Sequence, residues 1–320
     1  MTWRVLVSAP YMIPVVDRFR SELAPLGVEL EGVPVEERLE EADLLALVGQ
    51  VDGIICGDDR FTERVFAAAA PRLRVIAKWG TGIDSIDTGA AARYGVRVCN
   101  TPGAFTNPVA DSVLGYILSF ARRIPWATDS LRDGGWEKIP SVALCERTIG
   151  IIGVGNTGSA VAKRARAFGA RTLATDVRRI PEDVIAATGV EMTSLDELLR
   201  EADYISVNCD LNATSFHLIG APQFALMKRR AVVINAARGP IVDEPALIDA
   251  LQTGRIAGAA LDVFEHEPLA VDSPLRGMNN VLLAAHNANS SPAAWEAVHQ
   301  STVRQLLEGL GITTHGDVRA

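Results

Sequence analysis

The strongest constraint on the fold is a short stretch near the middle of the chain. Thr148-Ile149-Gly150-Ile151-Ile152 is an apolar run that enters Gly153-Val154-Gly155-Asn156-Thr157-Gly158, and an alanine-rich helical pattern from Ser159 to Phe168 follows at once. Such a run reads as a strand covered on both faces. The order strand, glycine turn, helix is what a dinucleotide site requires. Gly153 serves the tight turn, Gly155 the close approach of backbone to a pyrophosphate, and Gly158 the packing of helix on strand. The first N–H groups and positive dipole end of that helix suit phosphates, and Asn156 and Thr157 of the glycine loop join the expected cofactor-binding residues. The next predicted strand ends on Asp176, at the spacing where a carboxylate takes the adenosine ribose hydroxyls. A carboxylate there repels a 2′-phosphate, so NAD is expected over NADP. Arg178 and Arg179, close behind it, temper that preference.

On both sides of this stretch, short strand-like runs alternate with helical ones. The first hundred residues predict strands at 4–9, 28–31, 53–57, 74–79 and 96–100, with helices at 15–24, 36–47, 62–70 and 87–94. That pattern is a small doubly wound α/β unit. Asn100-Thr101-Pro102-Gly103 interrupts it. A long helix is predicted over 108–132, because Pro108 suits a first turn and Gly134-Gly135 a stop. Pro125 lies inside it and is expected to kink or divide it. Further strands are predicted at 148–153, 171–176, 190–192, 204–208, 231–235, 256–262 and 281–284, then a last helix over 292–307 and a polar tail. The expected architecture is two doubly wound parallel-sheet α/β lobes with a cleft between them.

Composition narrows the partners. A chain of 320 residues fits two domains of ordinary size. Its net charge of -8 argues against nucleic acid or an anionic membrane, both of which need a basic surface. No apolar run approaches the roughly 18 residues that cross a bilayer. The start lacks the charged-then-apolar build of a signal peptide. Cys56, Cys99, Cys145 and Cys209 are scattered, without CxxC or zinc spacing. A reducing, cytoplasmic setting is expected, with the thiols as small core residues.

Three polar residues follow apolar strands, at the strand ends where α/β sheets present ligands. They are Arg238 after Asn235-Ala236-Ala237, Glu267 after Asp262-Val263-Phe264-Glu265-His266, and His286 after the run ending Ala284-Ala285. Hydride transfer to a carbonyl carbon needs a proton donor, a cation for the substrate carboxylate, and a group that orients the donor. An imidazole at His286 suits the first role, because it titrates near neutral pH. Arg238 offers a planar fork for a carboxylate. Glu267 suits the third role, bonding the other ring nitrogen and favouring the charged ring. Taken singly, without the cofactor motif, Arg238 reads rather as a surface ion-pair residue and His286 as a strand cap. A metal site from Glu265, His266, Glu267 and His286 is not expected, because adjacent positions splay their side chains. His217, His299 and His315 read as ordinary polar residues.

Together these stretches resemble the D-2-hydroxyacid dehydrogenase family, most nearly its 3-phosphoglycerate dehydrogenase-like branch. The resemblance runs from about Val5 to Leu307. It rests on Gly80-Thr81-Gly82-Ile83-Asp84, Asn100-Thr101-Pro102-Gly103, the glycine turn, Asn235-Ala236-Ala237-Arg238-Gly239, Asp262-Val263-Phe264 with Glu267-Pro268, and His286, in the family's order. It implies a Rossmann NAD-binding domain over 101–287 and a flavodoxin-like substrate domain from 1–100 plus 288–320. The last helix is then expected to return onto the first hundred residues. It further implies that Arg238 binds substrate, that Glu267 pairs with the acid–base His286, and that Asp262 holds the nicotinamide carboxamide. Cys209 and Ala237 join the cofactor-binding set. Gly80, Thr81 and Gly82 anchor the substrate carboxylate, with backbone N–H groups at Thr81 and Gly82. Family members are usually dimers through the nucleotide-binding lobe, so a homodimer is expected. The chain departs from the pattern around His286. Ala284-Ala285 replaces a common Thr-Pro, and Asn287-Ala288-Asn289 replaces Ile-Gly or Ile-Ala.

The substrate is read as a small anionic 2-oxo or 2-hydroxy acid. Lys78, directly before Trp79 and the carboxylate loop, matches the position of an arginine that faces substrate in some phosphoglycerate dehydrogenases. It is expected either to meet a second anion such as a phosphate or to be a solvated loop residue. Hydroxypyruvate or glyoxylate reduction, or a phosphonate analogue, is the alternative. A non-enzymatic alternative is an NAD-sensing, corepressor-like protein, since such relatives keep the same Arg, Glu and His.

Overall fold

The structure is a computed structural model that describes residues 2–312, so His315 and the rest of the polar tail lie outside the described residues. The chain divides into two compact units. One contains the first 104 residues and the segment from Ser291 onward, the other Phe105–Ser290.

The first unit is built on β1 (Trp3–Val7), α1 (Val16–Leu23), β2 (Val28–Gly32), α2 (Glu41–Leu47), β3 (Gly53–Cys56), α3 (Glu63–Ala69), β4 (Val75–Lys78), α4 (Thr88–Arg93) and β5 (Arg97–Cys99). Its strands are all parallel, in the order β2-β1-β3-β4-β5. That is the flavodoxin-like order. Every residue of β3 and β4 is buried, as expected of parallel strands covered on both faces. One cover is the terminal helix, Pro292–Leu310. A Cβ on Gly53 would lie 2.8 Å from Leu306 Cδ1, and one on Gly309 2.5 Å from Val75 Cβ. Glycine at both positions lets this helix lie close on the sheet.

The helix predicted over 36–47 begins only at Glu41, and residues 33–40 are irregular. A side chain distant in sequence explains the difference. Asp59 accepts the Leu39 N–H at 2.8 Å and the Ser8 hydroxyl, which holds the segment away from helical geometry. Glu40 then caps α2, with its own N–H donating to Asp43 at 3.0 Å.

The second unit opens with α5 (Thr106–Arg122) and α6 (Ile124–Arg132). The single long helix predicted there divides at Arg123, whose φ of 55° is left-handed, so that Pro125 falls in the first turn of α6. Proline is tolerated there because its missing N–H has no intrahelical partner to lose. Then follow β6 (Thr148–Ile152), α7 (Asn156–Ala167), β7 (Arg171–Thr175), α8 (Glu182–Thr188), β8 (Glu191–Met192), α9 (Leu195–Glu201), β9 (Tyr204–Val207), α10 (Ala221–Leu226), β10 (Val232–Asn235), α11 (Glu244–Gln252), β11 (Gly258–Leu261) and β12 (Val281–Leu283). The sheet is parallel, in the order β12-β11-β10-β9-β6-β7-β8. Counted from β6 this is the doubly wound Rossmann order with one strand added, and the order reverses beside β6, where such sheets bind ligands. Apolar cores lie on the sheet's two faces, one around Leu198, Phe224 and Leu247, the other around Val113, Ile117 and Val161. No helix among the described residues is long and apolar enough to cross a membrane.

Asp59 gives the first unit a pH signature. It is fully buried, and burial, opposed by the Ser8 and Leu39 hydrogen bonds, pushes its carboxyl up to about 6. An acid raised above its unfolded value of about 3.9 favours the folded state most when protonated. Stability therefore falls as pH rises from about 4 to about 6, by roughly 3 kcal/mol, and levels off above. Urea melts of the wild type are expected to show this decline, and melts of Asp59→Asn to lack it.

Candidate active site

The glycine turn follows β6. Gly153 has a φ of 90°, and a Cβ there would lie 2.8 Å from the Cys209 nitrogen at the end of the neighbouring strand. A Cβ on Gly158 would lie 1.9 Å from the Gly153 carbonyl oxygen, so α7 meets its strand only because residue 158 has no side chain. Gly155 is different. The nearest atom to a Cβ there is Arg178 Nη2 at 3.9 Å, which leaves the backbone approachable beside the first turn of α7, opened by Asn156 and Thr157. These residues fit a pyrophosphate: a tight turn, an open backbone face and a helix N-terminus.

Asp176, just past β7, completes the turn. Its Oδ2 accepts the Val154 N–H at 2.8 Å, and its Oδ1 the Arg178 N–H at 2.9 Å. The Arg178 guanidinium also grips it, with contacts of 3.1 Å. Burial raises the Asp176 carboxyl, but the bonds from Arg178 and Val154 outweigh it and hold the group below the usual range. The arginine that tempered the NAD preference is thus engaged on the very carboxylate that sets it. Cys209 is partly buried, and burial pushes its thiol up to about 11, which suits packing rather than nucleophilic chemistry.

Arg238, Glu267 and His286 all belong to the second unit. Asn235, the last residue of β10, organises the arginine loop. Its Oδ1 accepts the Ala237 N–H at 3.1 Å, and its Nδ2 donates to the Arg238 carbonyl at 2.9 Å. A Cβ on Gly239 would lie 1.9 Å from the Phe264 carbonyl carbon, so this loop lies directly against the one that carries Glu267. Glu267 is held at both oxygens. Oε1 accepts the Phe264 N–H at 3.0 Å, and Oε2 lies 3.1 Å from His286 Nδ1. The pair is mostly covered, with side chains 24% and 18% exposed for His286 and Glu267.

His286 adopts a φ of 50°, a conformation costly for a residue with a Cβ, by about 1–2 kcal/mol. Asp262 holds it there. Its carbonyl accepts the His286 N–H at 2.7 Å, and its carboxylate the N–H groups of Asn287 and Ala288 at 3.0 and 2.9 Å. The family resemblance gave Asp262 a ligand contact. The structure adds that both of its carboxylate oxygens are engaged in shaping the histidine turn.

Gly80, Thr81, Gly82 and Lys78 belong to the first unit. Gly80 has a φ of 125°, and its carbonyl accepts the Thr101 N–H at 2.8 Å. The Thr81 carbonyl accepts from Asn100 Nδ2 at 2.5 Å, which ties the loop to Asn100-Thr101. Lys78 differs from expectation. It is 4% exposed, with Nζ 3.1 Å from Asp58 and donating to the Trp79 carbonyl at 3.1 Å. It ends a strand buried on both faces, where an ammonium group needs a counter-charge. It is not a solvated loop residue.

Two histidines read as ordinary do more than the sequence indicated. Buried His299 accepts the Trp79 indole N–H at 2.9 Å, which ties the terminal helix to the carboxylate loop. His217 has a φ of 49°, donates its N–H to Pro240 and places Nε2 2.5 Å from Glu265, bridging the loops of Arg238 and Glu267. Contacts between residues so far apart in sequence leave no trace in local spacing.

Residues 114–288 match the family model described as D-isomer specific 2-hydroxyacid dehydrogenase, NAD binding domain. The chain is 35% identical over 309 residues to a hydroxypyruvate reductase of Thermotoga maritima, covering 95% of this chain and 100% of that one. It is 36% identical over 297 residues to a D-3-phosphoglycerate dehydrogenase of Methanocaldococcus jannaschii, covering 92% of this chain but only 56% of that longer one. Among solved structures, D-lactate dehydrogenase of Aquifex aeolicus complexed with NAD and lactic acid superposes with a TM-score of 0.84 at 27% identity, over 96% of this chain and 97% of that one. The parallel sheet, the glycine turn and these likenesses agree: the chain belongs to the D-2-hydroxyacid dehydrogenases, NAD-dependent oxidoreductases that act on CH–OH donors.

Proposed function

We propose that the protein interconverts a small D-2-hydroxy acid and its 2-oxo acid, with His286 as acid–base, Glu267 as its orienting partner and Arg238 as the substrate-carboxylate ligand. The observation that carries this reading is the Glu267–His286 hydrogen bond of 3.1 Å, with the second glutamate oxygen fixed on the Phe264 N–H. When bound, NADH supplies the hydride for the 2-oxo carbon. With Nδ1 committed to Glu267, Nε2 carries the proton that meets the developing alkoxide. The negative carboxylate beside the ring favours the imidazolium that must donate in reduction. Arg238 fixes the substrate carboxylate through its planar guanidinium fork.

The pairing of Lys78 with Asp58 favours an unphosphorylated substrate, because the cation on which phosphate recognition rested already has a counter-charge. Hydroxypyruvate or glyoxylate is preferred on this ground over 3-phosphohydroxypyruvate or a phosphonate. NADH consumption against a panel of these acids is the test. Turnover of hydroxypyruvate or glyoxylate is expected to exceed that of the phosphorylated acid. A flat trace across the panel supports the NAD-sensing alternative. His286→Ala is expected to lose about 10²–10⁴-fold in turnover while still binding NADH. Retention of activity within a few-fold refutes the assignment.

The same reading includes a homodimer. Ile124 and Leu131 on α6 are 53% and 56% exposed, and Trp136 just beyond it is 91% exposed. Apolar side chains this open, close together in one segment, suit burial against a second copy. Sedimentation is expected to give a dimer for the wild type and a monomer for Trp136→Glu.

A further inference from the structure

Helix α5 carries two polar side chains toward the His286 turn, at positions four apart and hence on one helix face. Ser112 Oγ donates to the Ala288 carbonyl at 3.3 Å. The Tyr116 hydroxyl donates to Asp262 Oδ1 at 3.4 Å. That oxygen is the one that accepts the Asn287 N–H, while Oδ2 accepts the N–H of Ala288. The helix face therefore holds the turn from two sides, through Asp262 and at the carbonyl of Ala288. The rest of α5 is conventionally apolar, burying Val113, Leu114, Ile117 and Phe120. A leucine at 116 would fill the same core without a hydroxyl aimed at a carboxylate that is 1% exposed.

We propose that Ser112 and Tyr116 are positioning residues for the acid–base step, holding the left-handed turn that presents the His286 ring to Glu267 and to substrate. The proposal rests on the reading of His286 given above, and deepens it. Two physical points support it. Burial, and then the negative charge of Asp262, push the Tyr116 phenol well above its ordinary range, so it remains a donor at any working pH. The positive φ of His286 is not self-sustaining, since L-residues relax from it unless neighbours hold them. Asp262 supplies the hydrogen bonds that hold the turn, and Tyr116 keeps its carboxylate from rotating out of register. Ser112 acts at the Ala288 carbonyl and Tyr116 at Asp262, so both act through the turn.

The test uses the full chain with Tyr116→Phe, Ser112→Ala and the double substitution, all of which keep the helix and its apolar packing. Four quantities are measured: NADH affinity by fluorescence, kcat and KM for a 2-oxo acid turned over by the wild type, and the imidazole Cε1–H resonance of His286. That resonance is assigned by its loss in His286→Gln. The double variant is expected to lower kcat at least about tenfold, as small displacements of a reacting group do, with KM and NADH affinity within about threefold. The His286 resonance is expected to shift or broaden while that of His217, in the same unit, stays. An unmoved His286 resonance with kcat within about twofold overturns the proposal. So does a loss of kcat accompanied by equal losses in NADH affinity and a shift at His217, because that marks general loosening. Should the wild type reduce no 2-oxo acid, the functional reading fails, and the resonance still decides whether α5 positions His286.

Discussion

One buried carboxylate shapes the proposed catalytic end of the NAD-binding unit. Asp262 directly follows β11 and directs both side-chain oxygens at the backbone just after His286, while its own carbonyl takes the His286 N–H. A chain leaving β12 would otherwise continue extended or turn through ordinary geometry. These three bonds hold the histidine in a left-handed conformation, and from there its Nδ1 meets Glu267. The arrangement trades local backbone strain for a fixed ring, as sites that transfer protons commonly do. The arginine and glutamate loops share this rigidity, because Gly239 brings one backbone against the other and His217 bridges them.

The glycine turn follows the same principle at the other functional end. Gly153 and Gly158 are forced by close contact of backbone with backbone, whereas Gly155 keeps a face open. Asp176 then locks the turn by accepting the Val154 N–H. Both ends lie beyond the C-terminal edges of parallel strands, where the sheet leaves side chains and N–H groups facing outward. The sheet order places β6 at the reversal point, so the phosphate cradle follows from topology as much as from glycine content.

Much of this was legible in the residues. The apolar runs marked the strands, because parallel strands buried on both faces need little polar alternation, and the strand–glycine–helix order marked the cofactor site. Arg238, Glu267 and His286 stood out because each follows an apolar run. The pairing of Glu267 with His286 was expected from their roles, but the bonds that support it were not legible: the Phe264 N–H on Glu267 and the Asp262 carboxylate on the turn after His286 depend on the pairing of β11 with β12 and on loops of irregular geometry. The late start of α2 depended on Asp59, twenty positions beyond Leu39 in sequence. The solvated-loop alternative for Lys78 failed because adjacency to the carboxylate loop suggested exposure, while the strand it ends carries it inward to Asp58. Tyr116 in an apolar helix reads as core, and only its hydroxyl's partner tells otherwise.

The central claim is that Glu267 makes His286 a competent proton donor. The most direct measurement is the single-turnover rate of NADH oxidation by Glu267→Gln with saturating 2-oxo acid, beside direct NADH binding. Glutamine keeps the shape and an oxygen for the Phe264 N–H but removes the charge facing Nδ1. The account predicts a rate lower by about 10²-fold with NADH affinity nearly unchanged. An unchanged rate would mean that the ring is oriented and charged without its carboxylate, and would contradict the account.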